Sequence, residues 1–127
     1  MFGANNKKGV TPDPVALQKA DAAFERVVVA SPGYLDGYFY RGRTNSLMEN
    51  DAMTIKYYEE YVAKVTEKGA EEIAKPTVLK KVIESYNTIA ASYANTDKVK
   101  AAEYFNKTLT LDPTNNYATE SLKLLKK

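Results

Sequence analysis

Two segments of the chain, "AAFERVVVASP" at residues 22–32 and "EYFNKTLTLDP" at residues 103–113, follow one template. In each, an aromatic residue is followed by polar residues, a β-branched residue and an apolar one, and proline closes the segment eight residues after the aromatic. The recurrence extends between them: Phe24 and Tyr58 are 34 residues apart, as are Ala20 and Thr54. A period of this length is the spacing of a helix pair. Such a unit cannot bury its apolar face alone, so the repeat demands a stack in which each pair covers the next.

Local signals place the helices. Asp13 and Pro14 open the first, which should run from about 14 to 30 with Leu17, Ala20, Phe24, Val27 and Val28 at three- and four-residue steps before Ser31-Pro32-Gly33 stops it. A second spans about 34–48, Asn50 and Asp51 turn the chain, and a third reaches about 68, just before Gly69. Residues 69–76 read as a connection with about one helical turn, since Pro76 disfavours helical geometry at Lys75. A fourth helix from Pro76 to about Ala94 carries Leu79, Val82, Ile83, Tyr86, Ile89, Ala90 and Tyr93 on one stripe. A fifth runs from about 98 to 111, ended by Asp112-Pro113, and a sixth follows Thr114-Asn115. The expectation is an all-α chain of about six helices.

Composition excludes more than it identifies. With 127 residues there is room for one domain with a core. Neither histidine nor cysteine occurs, which removes Ser-His, Cys-His and His-metal constellations and all thiolate chemistry. A net charge of +2 is too small to argue for a nucleic-acid surface, and no apolar run approaches the ~18–20 residues of a membrane span. The start, "MFGANNKKGV", shows no secretory signal, so a soluble protein of open compartment is expected. Glu59-Glu60 and Glu71-Glu72 point apart on their helices, and Lys75, Lys80 and Lys81 read as solvated charge.

Small residues complete the pattern. Tyr38 lies four residues before Gly42 and Tyr86 four before Ala90, each a ring one turn ahead of a small side chain. Together with "YNTIAASY" (Tyr86, Ile89, Ala90, Tyr93) and "AAEYFNKTLTLDP" (Ala101, Phe105, Thr108, Pro113), this resembles the tetratricopeptide repeat family. The other unit, "YFYRGRTN" with "TIKYYEEYV", matches at Tyr38, Gly42 and Tyr58 and departs at Arg41, Asn45, Thr54 and Tyr61. The separation of 81 between Pro32 and Pro113 is two periods with a 14-residue insertion, Gly69 to Val82, and one residue fewer between Tyr93 and Ala101.

The resemblance implies an α-α superhelix of antiparallel hairpins: a half-repeat at 13–33, repeats at 34–68 and 77–113 joined by the connection 69–76, and a capping helix at 114–127. Ala20, Phe24, Pro32, Tyr38, Gly42, Tyr58, Tyr86, Ile89, Ala90, Tyr93, Ala101, Phe105 and Pro113 would pack the repeats. Tyr34, Tyr40, Tyr57, Tyr61, Tyr104 and Tyr117 stay open between core and contact. Residues 1–12 read as a loop or the tail of an upstream helix, with Phe2-Gly3 at its aliphatic and small positions.

It also implies a concave groove for a peptide or partner domain, lined by Asp36, Phe39, Arg43, Ser46 and Leu47 from one helix and Glu84, Asn87, Ala91, Ala94 and Asn95 from the next. Arg43 with Asn87 would hold a backbone or carboxylate, and an exposed patch is expected around Phe39 and Leu47. No enzyme activity, cofactor, metal, nucleic acid or membrane insertion is expected. The alternative is architectural: a carboxyl-terminal solenoid segment that spaces or dimerises domains through the half-repeat near residues 14–30.

Overall fold

Polar side chains open most of the helices. Asp13 accepts from the Val15 amide at 3.1 Å, Asn50 from Met53 at 3.2 Å, Asp97 from Lys100 at 3.1 Å and Asn115 from Ala118 at 2.9 Å. Each satisfies an amide that the first helical turn leaves unpaired. They start α1 (Pro14–Ala30), α3 (Asp51–Glu67), α6 (Lys98–Leu111) and α7 (Asn116–Leu125), while α2 (Asp36–Leu47) and α5 (Pro76–Tyr93) complete the expected six. The computed structural model describes residues 13–126. The reading of residues 1–12, Phe2-Gly3 included, lies outside the described residues.

A seventh helix, α4 (Ala70–Ala74), fills the connection that was expected to hold about one turn. Lys75 after it is extended, with φ −62° and ψ 130°, the geometry Pro76 imposes on its predecessor. The seven helices among the described residues pack mainly with their sequence neighbours in antiparallel pairs, α1 on α2, α2 on α3, α5 on α6 and α6 on α7, and α3 joins the halves by packing on α5.

At Gly42 a Cβ would stand 2.9 Å from the Tyr58 ring, so the ring rests directly on the α2 backbone. Phe39, one turn away, meets Tyr58 edge-on at 5.6 Å and a tilted Tyr61 at 5.3 Å between ring centroids. Such pairs contribute about 0.5–1.5 kcal/mol each beyond burial. In the second half Ala90, Ala101, Phe105 and Ala118 form one buried cluster. Gly42 and Ala90 therefore both face into the protein.

The packing residues read from the sequence divide by depth. Tyr38, Gly42, Tyr58, Ile89, Ala90, Ala101 and Phe105 are buried, Ala20, Phe24, Tyr86 and Tyr93 are half-buried, and Pro32 and Pro113 are exposed at the turns. Of the tyrosines left open, Tyr57 and Tyr61 are core, Tyr40 and Tyr104 are half-buried, and Tyr34 and Tyr117 are exposed.

Asp21 explains two departures from the repeat pattern. Its carboxylate accepts from Arg41 Nε and from Asn45 Nδ2, both at 2.8 Å, joining α1 to α2 by charge-assisted hydrogen bonds in place of apolar contact. Burial works against the Arg41 charge, but Asp21 outweighs it, and the guanidinium stays above its ordinary pKa. Arg41 also lies 4.1 Å from the Tyr57 ring centroid. Thr54 donates to the Asn50 carbonyl at 2.8 Å and is buried.

The α2–α3 turn fixes this hairpin. Asn50 N donates to Asn45 O and Glu49 N to Ser46 O, both at 3.0 Å, which closes α2 with the paired bonds of a Schellman motif. Glu49 sits in its left-handed position at φ 60°, where a side chain costs roughly 1–2 kcal/mol. Replacing Glu49 by Gly should raise the stability measured by urea denaturation by about 1 kcal/mol, the relief being partly offset by the flexibility glycine adds to the unfolded chain.

Candidate functional site

Residues expected to line a groove lie where α2 meets α5 and where α5 meets α7, along one side of α5. Its amino-terminal half is a ladder of ions. Lys81 Nζ donates to Asp36 Oδ2 at 2.8 Å. Arg43 grips Glu84 with two bonds, Nη2 to Oε1 at 2.8 Å and Nε to Oε2 at 3.0 Å. Both cations also lie over the Phe39 and Tyr40 rings, Arg43 at 4.8 and 5.8 Å and Lys81 at 5.7 Å from each. The Glu84 hydrogen bond is the largest influence on Arg43 and raises its pKa.

The carboxyl-terminal half is apolar. Ala91 and Ala94 of the expected set line a recess of about 150 Å³ with Phe105, Tyr117, Ser121, Leu124 and Leu125. Tyr117 is 53% exposed and Leu124 is 66% exposed, so the recess opens to solvent beside large apolar surface. Ala118 anchors α7 from its buried side.

Three expectations change. Phe39 has 0% exposure because Tyr58 and Tyr61 close over it, so it supports the face from beneath instead of lining it. The exposed patch around Phe39 and Leu47 reduces to Leu47 at 46% exposure. Arg43 and Asn87 do not form one clamp. Asn87 accepts from Thr108 Oγ1 at 2.8 Å and donates to Asn115 at 3.5 Å, which ties α5 to α6 and to the cap of α7. Ser46 is half-buried and Asn95 is exposed.

Tyr117 and Leu124 were not singled out as lining residues. Their spacing with Ser121, four and three residues, puts all three on one side of a helix, and that was the available signal. By sequence Lys81 reads as solvated charge, because its partner Asp36 lies 45 positions away, beyond any local pattern.

A third set of side chains lies on the other flank of α5. Val62, Ala63, Thr66 and Glu59 of α3, Tyr86 and Ile89 of α5, and Tyr104 and Lys107 of α6 line a cleft of about 490 Å³. The Tyr104 hydroxyl donates to the Glu59 carboxylate across its mouth.

Comparison with known proteins finds no family model that matches the chain and no matching curated protein.

Several tyrosines resist ionisation. Desolvation is the leading cause at Tyr58, Tyr61 and Tyr104, reinforced by Glu84 at Tyr58, by Asp36 at Tyr61 and by Glu59 at Tyr104. Their folded-state pKa values stand above the ordinary ~10 of the unfolded chain. Above that pH the unfolded state releases protons that the folded state keeps, so stability is complete below ~10 and falls as pH rises further. Urea midpoints measured across pH 8–12, a range of about two units either side of 10, should decline only in the upper half, and Tyr61→Phe should flatten that decline.

Proposed function

We propose that the chain is a non-enzymatic protein-interaction module, a tetratricopeptide-like superhelix that offers the shared side of α2, α5 and α7 to a peptide or partner domain. The observation that carries the reading is the open apolar recess of Ala91, Ala94, Tyr117 and Leu124. It supplies an anchor for an apolar side chain, the kind of contact that dominates interface energies. The ladder of Asp36, Lys81, Arg43 and Glu84 beside it is internally neutralised, so it favours a partner of balanced charge over a strongly acidic or basic one.

Support for the superhelix comes from the 34-residue period, the antiparallel hairpins and the ring-on-glycine contact. The non-enzymatic part rests on the lack of histidine and cysteine in the sequence. The reading includes no cofactor, nucleic acid or membrane insertion, and no helix among the described residues is long and apolar enough to cross a membrane.

A second reading has its own observation. α1 leaves Val15 and Val29 exposed, about 40° apart around the helix at 100° per residue, a surface suited to an architectural or self-associating role through the half-repeat.

Affinity capture with the full chain and two surface variants separates these. A partner held by wild type, weakened about tenfold or more by Ala91→Arg with Leu124→Arg, and unaffected by Val29→Asp supports the groove. Loss with Val29→Asp alone supports the architectural role, and equal recovery from all three rejects the groove.

A further inference from the structure

The cleft between α3 and α6 has the features of a small-molecule site and is separate from the proposed groove. Its lining residues on α5, Tyr86 and Ile89, lie roughly opposite Glu84, Asn87 and Ala91 at 100° per residue. Its floor is apolar, with Ile89 fully buried and Val62 nearly so. A volume of about 490 Å³ falls in the range of small-ligand pockets.

Two opposite charges converge on one ring at the mouth. Glu59 is fixed by the Tyr104 hydroxyl, and Lys107 Nζ lies 5.7 Å from the Tyr104 ring centroid and 5.8 Å from that of Tyr86. Glu59 and Lys107 form no ion pair, with each other or with any other group among the described residues. The small side chains of Ala63 and Thr66 leave the space between the helices open. A ligand that satisfies this set carries an ammonium for Glu59, a carboxylate for Lys107 and an apolar body for the Val62, Ile89 and Tyr86 surface.

We propose that this cleft binds a free α-amino acid with an apolar side chain. An α-amino acid carries its ammonium and its carboxylate on one carbon, with the side chain directed away from both. A single peptide terminus presents only one of the two charges.

The test is titration of the isotope-labelled full chain with L-leucine and L-phenylalanine, followed by amide NMR. Saturable shifts should centre on Glu59, Val62, Ala63, Thr66, Tyr104 and Lys107, with a dissociation constant on the order of 1 mM for so small a ligand. Glu59→Gln and Lys107→Met, both at exposed positions, should each weaken binding about tenfold while leaving the rest of the spectrum in place. N-acetyl-L-leucinamide, which keeps the side chain and loses both charges, should not saturate. Absence of saturable shifts at ~10 mM of either amino acid, about ten times the expected constant, overturns the proposal. So does equal binding of the capped analogue, unchanged affinity in both variants, or a shift map centred on Ala91 and Leu124.

Discussion

The structure depends on one contact, the Tyr58 ring lying on the α2 backbone at Gly42. A ring can approach a helix axis this closely only where no Cβ intervenes, and the approach sets how α2 and α3 meet. From it the rest of the first half follows: Phe39 is enclosed by Tyr58 and Tyr61, and the Tyr58 hydroxyl reaches Glu84 of α5 at 3.0 Å. Glu84 then receives Arg43 as well, so the same ring that packs α2 on α3 also registers the first hairpin against the second. The second half repeats the principle with Ala90 in the small position and Phe105 in its cluster.

The proposed interaction surface rests on that rigidity. The exposed ion pair of Arg43 and Glu84 adds little stability, since solvent screens it, but two parallel bonds hold both side chains in one orientation. α5 contributes side chains on both sides. One flank supplies Glu84, Asn87 and Ala91 to the face shared with α2 and α7, and the other supplies Tyr86 and Ile89 to the α3–α6 cleft. α5 has two flanks because it packs on α3 and α6 along one and meets α2 and α7 along the other.

Helix existence and limits were legible because caps and stops act locally: Asp13-Pro14, Asn50, Pro76 and Asn115 all begin the helices they were expected to begin. The short α4 was half-legible, since Pro76 announced the break but five residues carry too little periodicity to count as a helix. Depth within the stack was less legible. Phe39 and Leu47 share a helix and an apolar character, and only neighbours distant in sequence, Tyr58 and Tyr61, bury one and spare the other. Asp21 shows the same limit from the polar side. Nothing nearby in sequence marks it as the bridge between α1 and α2, because both donors, Arg41 and Asn45, arrive from the next helix.

A double-mutant cycle between Gly42→Ala and Tyr58→Leu, read by urea denaturation, tests the governing contact most directly. With Tyr58 in place, the added methyl meets the ring and should destabilise by about 1–3 kcal/mol. With Leu at position 58 the obstruction is gone, and the same substitution should be neutral or stabilise by up to ~1 kcal/mol, as alanine favours helix over glycine. If Gly42→Ala stabilises equally in both backgrounds, the ring does not rest on α2, and the packing account is contradicted.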